Sequence, residues 1–114
     1  MAPDDPRGLL VSLFDAAVRA ADPYAAIKAN LPERPSGRTV VIGAGKAASQ
    51  MAAAFERAWG SPCEGVVVAR HGPVEQTKYI RVLQSAHPVP DAAGLAGSQA
   101  LLDAVTGLTA DDLV

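Results

Sequence analysis

Apolar residues recur at Leu9, Leu10, Leu13, Phe14, Ala17, Val18 and Ala21, the spacing of one helical face, so an amphipathic helix is expected after a leader of residues 1–6. Asp4 or Asp5 is placed to cap it, and Pro6 suits its first turn. Asp22-Pro23 ends that pattern and starts a second helical segment, from Pro23 to Asn30, before Pro32. Residues 31–38, with Pro32, Pro35, Ser36 and Gly37, read as the loop into a sheet. The period then changes. Thr39 to Ile42 is β-branched throughout, without alternation, which predicts a strand covered on both faces and central in its sheet. A glycine-spaced turn follows, Gly43-Ala44-Gly45-Lys46, and then a helix with Ala48, Met51, Phe55 and Ala58 or Trp59 inward and Glu56 and Arg57 outward. Gly60 and Pro62 stop that helix. Gly65 to Ala69 is a second continuous apolar strand, and Tyr79 to Leu83, with Ile80 and Val82 on one side and Arg81 on the other, is a third. Asp91 is placed to cap a last helix, Ala92 to Thr106, whose apolar face carries Leu95, Leu102 and Val105. Its Gly94 and Gly97 are poor helix formers that close backbone approach would explain. Asp111-Asp112-Leu113-Val114 has the pattern of a strand just beginning, so the sheet is expected to be only part of a larger one.

Strands alternating with helices predict an α/β fold: a three-layer, Rossmann-like, mostly parallel sheet flanked by helices, with N-terminal helices preceding the first strand, in one unit over residues 1–114. Aromatic residues make up 4% of the chain, so its core is expected to be aliphatic with closely approaching helices. The formal net charge of −2 offers no basic field for nucleic acid or anionic lipid. No run of apolar residues is long enough to span a bilayer, and the first residues lack the charged and apolar regions of a secretion signal, so a cytoplasmic location is expected. Cys63 is the only cysteine, which excludes an internal disulfide and fits a reducing compartment. Nothing in the pattern excludes an oligomer.

The candidate chemistry gathers where strands end. A β-branched run broken by Gly43-Ala44-Gly45 and followed by a helix converges backbone N–H groups past the strand, a geometry that favours anions. Lys46, read as part of the first helical turn, sits at the positive end of the helix dipole, where a cation costs about 0.3–1 kcal/mol. A locally unfavourable residue beside an anion-shaped turn points to function. A Walker A loop is rejected, because Gly45-Lys46-Ala47 lacks both the long loop and the hydroxyl for magnesium. Gly43-x-Gly45-x-x-Ala48 does satisfy the dinucleotide fingerprint, and Arg70, at the end of the next strand, suits a 2′-phosphate better than the acidic residue of an NAD site. His71 and His87, the two histidines, both fall on loops at the C-terminal edge of the strands, where open α/β sheets bind ligands. Their spacing with Asp91 matches no standard metal site, and no metal ligands are assigned.

Val41-Ile42-Gly43-Ala44-Gly45-Lys46-Ala47-Ala48, then Gly65-Val66-Val67-Val68, then Ile80-Arg81-Val82 leading into His87-Pro88-Val89-Pro90-Asp91 and Gly94, together resemble the N-terminal part of the glycerate 2-kinase family, whose members are also named hydroxypyruvate reductases. The resemblance spans nearly the whole chain and about a quarter of a family member, which continues into a Ser/Gly-rich phosphate loop and a C-terminal domain. One departure is Ala86, where the family carries glycine before the histidine. The resemblance implies ATP-dependent phosphorylation of D-glycerate at its 2-hydroxyl by the full-length protein, with Mg2+ or another divalent ion, in a cleft between domains. It implies that Lys46 stabilises the transferring phosphoryl group or holds the substrate carboxylate, that Gly43 and Gly45 admit close approach, and that His87 and Asp91 line the same edge. The partners so implied are glycerate, the nucleotide and the C-terminal domain of the same polypeptide, and the chain alone is expected to be inactive. An NADP-dependent hydroxypyruvate reductase, on the strength of the fingerprint and Arg70, and a non-catalytic α/β interaction module are the alternatives.

Overall fold

The computed structural model describes residues 5–114. Helix α1 (Pro6–Ala20) starts where the Asp5 carboxylate accepts the Gly8 N–H at 2.9 Å. The alternative cap, Asp4, lies outside the described residues. Helix α2 (Pro23–Ala29) starts in the same way, Asp22 accepting the Tyr24 N–H at 3.1 Å. Then come β1 (Val40–Ala44), α3 (Ala48–Trp59), β2 (Glu64–Arg70), β3 (Arg81–Ser85) and α4 (Ala92–Ala104). The three strands are parallel, in the order β1-β2-β3. Side chains alternate across β2: Val67 and Ala69 pack with Ala48 and Ala52 of α3, whereas Val68 meets α4 at Gly97. Helices therefore cover both faces of a parallel sheet, and α2 packs on α3. No helix is long and apolar enough to cross a membrane among the described residues.

Four expectations change. The central strand is β2, not β1. The free side of β1 instead meets the last residues: Val40 N–H donates to the Leu113 carbonyl and Leu113 N–H to the Arg38 carbonyl, each at 2.9 Å, pairing Thr39 with Leu113 in parallel. The strand expected to begin near Asp112 is present as that pairing. The run from Thr39 to Ile42 is also not doubly covered, since Ile42 is 40% exposed. Second, β3 starts two residues later than expected, because the N–H groups before it are claimed by a side chain rather than by the ladder. The carboxylate of Glu56, on α3, accepts from Lys78, Tyr79 and Ile80, each at 2.7 Å. Together with Ser49 Oγ, which accepts the Glu75 N–H at 3.3 Å, it fastens the long β2–β3 connection across α3, where a crossover helix would ordinarily lie.

Third, one residue of the expected inner face of α3 departs: Ala48 and Trp59 are buried and Phe55 packs on the core as expected, joined by Ser49, Ala52 and Ala54, but Met51 is exposed. Fourth, the apolar faces assigned to α1 and α4 do not meet the core of this chain. Phe14 is 68% and Leu95 76% exposed, with Leu102 also exposed. Helix α4 instead approaches through Gly97, where an added Cβ would lie 2.8 Å from Val68 Cγ2. The close approach expected of both glycines holds at Gly97, while Gly94 has ordinary clearances, such as 3.6 Å to Ser85 Cβ.

Candidate functional site

The strand ends form one edge. Strand β1 closes at Ala44, Gly45 donates its N–H to the Val68 carbonyl at 3.0 Å, and the chain turns through Gly45-Lys46-Ala47 before α3 begins at Ala48. Lys46 thus precedes the helix instead of occupying its first turn, and it is exposed. Among the described residues, no backbone carbonyl accepts from the N–H of Lys46 or Ala47, and Ala47 provides no side-chain cap. These two donors are therefore left without a partner just ahead of α3, whose first N–H, that of Ala48, bonds the Gly45 carbonyl at 3.2 Å, and free donors at a helix start are what an anion requires.

The two glycines have different reasons. Gly45 adopts φ +140°, which side-chain-bearing residues avoid, so the turn itself requires it. At Gly43 an added Cβ would meet only Val67 Cγ1, at an ordinary 3.7 Å. Nothing within the fold demands glycine there, and its effect is to leave bare backbone on the wall of a cleft of about 530 Å³. Ile27, Ile42, Met51 and Phe55 give the cleft apolar walls, and among the described residues Lys46 is the one charged residue of its lining. Met51, read as a core residue from its spacing, is thus a wall of the site. Ile27 carries no mark at all in the sequence, since only the packing of α2 on α3 brings it there.

The other expected residues collect on the far side of the same edge. Arg70, exposed, ends β2 and pairs in register with Ser85 of β3. His71 follows it, its N–H donating to the Ser85 carbonyl at 3.0 Å. Asp91 is the expected cap of α4: Oδ1 accepts the Gly94 N–H at 2.8 Å, and Oδ2 accepts the Ala86 N–H at 3.2 Å and lies 3.5 Å from His71 Nε2. The Gly94 bond first, then those from Ala86 and His71, hold the Asp91 carboxyl below the usual carboxylate range. His87 is exposed in the intervening loop, which contains a cis His87-Pro88 bond. Asp91 and the loop prolines line a second cleft of about 390 Å³ against α4, on the opposite face of the sheet from the first. Ala44 borders both clefts. The two groups of expected residues therefore share an edge but not a cavity within this chain.

A glycine-rich turn and a lysine at the strand ends of a parallel α/β domain define a small-molecule site for an anionic ligand. Comparison with known proteins agrees with the resemblance drawn above. Residues 9–114 match the family described as "Domain of unknown function (DUF4147)", and the chain belongs to that family, the N-terminal part of the glycerate 2-kinases. It is 48% identical over 109 residues to a protein of Agrobacterium vitis provisionally named hydroxypyruvate reductase, with 95% of this chain and 25% of the relative covered. It is 30% identical to the glycerate 2-kinase of Pyrococcus horikoshii, covering 96% of this chain and 28% of that one. The D-glycerate 2-kinase of Thermotoga maritima is 29% identical, with 98% and 27% covered. The fold matches the crystal structure of the PH0495 protein from Pyrococcus horikoshii with a TM-score of 0.75 at 28% identity, over 98% of this chain and 28% of the other. The chain thus spans about a quarter of the length of the curated relatives it matches.

Proposed function

We propose that the full-length protein containing this chain transfers the γ-phosphoryl group of ATP to the 2-hydroxyl of D-glycerate, and that this chain supplies the Gly43–Lys46 wall of the site. The observation that carries the reading is Gly43, a glycine the fold does not need, which bares the backbone beside an exposed lysine and unpaired amides. Phosphoryl transfer asks mainly for positioning and neutralisation of charge. The Lys46 ammonium supplies the charge, to the transferring phosphoryl group or to the substrate carboxylate, and the N–H groups of Lys46 and Ala47 orient the same anion. The apolar walls suit the nucleotide base. The remaining groups, His87 and Arg70 among them, meet the ligand at the same edge, opposite a C-terminal domain of the polypeptide. A divalent ion is a different matter. The cleft lining contains no carboxylate or histidine, and no group of three or more His, Cys, Asp and Glu side chains that could hold a metal exists among the described residues. A divalent ion here would rest chiefly on the nucleotide's phosphates, with carboxylates supplied from outside this cleft, and no step here runs through it.

The test is D-glycerate-dependent formation of ADP and 2-phosphoglycerate by the full-length protein. Lys46→Ala is expected to lower kcat/KM by about 100- to 1,000-fold, the scale of losing one preorganised charge-stabilising group. Undiminished turnover in the variant removes Lys46 from the site, and a wild type inactive with glycerate and ATP removes the reaction. A second reading has its own support: Arg70 ends the strand beside β1, across from the Gly43-x-Gly45-x-x-Ala48 turn, where a 2′-phosphate would be met in an NADP-dependent hydroxypyruvate reductase. Titration with NADPH separates the two, since the kinase is expected neither to bind it nor to oxidise it with hydroxypyruvate.

A further inference from the structure

Asp91 matches a family motif, yet its chemistry suits no direct contact with an anionic substrate. It is a carboxylate, and both of its oxygens already face donors of this chain, from Gly94, Ala86 and His71. What it does instead is join three pieces. Oδ1 caps α4, Oδ2 holds the first residue of the Ala86–Pro90 loop, and the same oxygen meets the imidazole that leaves the end of β2. His71 also grips the loop's root through its main chain, donating to Ser85 at 3.0 Å. His87 lies inside this loop, exposed, with no hydrogen bond to its side chain among the described residues. The loop's ends are tied down and the group between them is left free.

We propose that His71 is a positioning residue: acting through Asp91, it holds the Ala86–Pro90 loop at the strand ends and so sets where His87 meets the anionic substrate. The identity of that substrate rests on the glycerate kinase reading above, whereas the tie between His71 and Asp91 does not. At 3.5 Å from Oδ2, Nε2 is placed to donate to the carboxylate from the neutral Nε2–H tautomer as well as from the protonated ring, so the tie does not require the histidine to be charged. A glutamine at position 71 keeps a donor on a side chain of similar reach, and an asparagine at position 91 keeps the helix cap while losing the charge.

The experiment uses the full-length protein as wild type, His71→Ala, His71→Gln, Asp91→Asn and the His71→Ala/Asp91→Asn double variant. His71→Ala is expected to raise KM for D-glycerate about three- to tenfold, as for a partly exposed pair, with kcat and KM for ATP changed less than about twofold. His71→Gln restores most of the loss, and the double variant is no worse than Asp91→Asn alone. Amide hydrogen exchange should quicken over residues 85–90 in His71→Ala while residues 40–44 keep the wild-type rate. A wild-type KM in His71→Ala, or effects of the two substitutions that multiply independently, overturns the proposal. So does faster exchange with an unchanged KM, which reduces the pair to a structural tie. A wild type that does not phosphorylate glycerate overturns the kinase reading instead, and exchange then decides the tie by itself.

Discussion

The two flanks of the sheet are finished in opposite ways. On the β3 flank, polar groups that a loop would otherwise leave unpaired are taken up by carboxylates: Glu56 accepts three successive N–H groups, and Asp91 two more and an imidazole. On the β1 flank, the turn leaves amides unpaired, Lys46 has open solvent, and Ile42 and Met51 line a cleft instead of a core. The difference teaches where rigidity and where ligand belong. A flank whose loops are held by carboxylates of this chain can act as a frame, whereas a flank with unpaired donors and bare backbone is completed by what occupies it.

The strongest way to break this arrangement is at the seam between the flanks. Gly65 has φ +139°, and an added Cβ would fall 1.9 Å from the Val41 carbonyl oxygen, so Gly65→Ala must move one strand away from the other. A loss of about 4 kcal/mol is expected from a backbone clash in the core, read as the shift of the urea midpoint. Next comes the frame itself. Glu56→Ala leaves three N–H groups without their acceptor and should cost about 3 kcal/mol, with faster amide exchange at residues 78–80 than elsewhere. A variant that exchanges there at the wild-type rate would show that the connection does not depend on the carboxylate.

Smaller effects sharpen the contrast. Gly97→Ala pushes a Cβ against the stiff, buried Val68, and overpacking of about 1–3 kcal/mol is partly offset by about 1 kcal/mol of helix propensity, leaving a net loss near 1 kcal/mol in urea unfolding. Acid should loosen the framed flank. Burial alone would raise the Glu56 pKa, but the N–H groups of Lys78, Ile80 and Tyr79 together outweigh it and hold the carboxyl below its ordinary value. Asp91 is lowered too, chiefly by the Gly94 N–H. With folded values below unfolded ones, the stabilisation is full above the unfolded pKa, about 4, and is lost as pH falls through the folded values. Urea midpoints should therefore drop below about pH 4 in the wild type and less steeply in Glu56→Gln. The smallest effect belongs to α1, where Phe14→Gln should change stability by about 0.5 kcal/mol or less, because Phe14 is already exposed.

Much of this was legible beforehand because it is local. The Asp5-Pro6 and Asp22-Pro23 starts, the Asp91 cap, the αL stop at Gly60 and the turn after β1 each depend on a few neighbouring residues, and each formed as read. Lys46 was legible as a residue out of place, although the helix starts two positions after it. Glu56 was not, since an acidic residue on the outer face of a helix looks solvated until a loop 22 to 24 residues later folds over it. The pairing of His71 with Asp91 was equally silent, because the two lie on separate loops that only the strand register aligns.

Taken by itself, the sequence determined the elements, the parallel α/β class, the family and the glycine-lysine turn, because periodicity, caps and positive-φ glycines act within a helical turn or a strand. The tertiary structure alone decided that β2 is the middle of the three strands, that the apolar faces of α1 and α4 stay outside this chain's core, and that Gly43, Gly45 and Lys46 line one cleft while Asp91 lines another. Strand order and the side of a sheet that a helix covers are set by contacts between residues far apart in the chain, and no local pattern carries them.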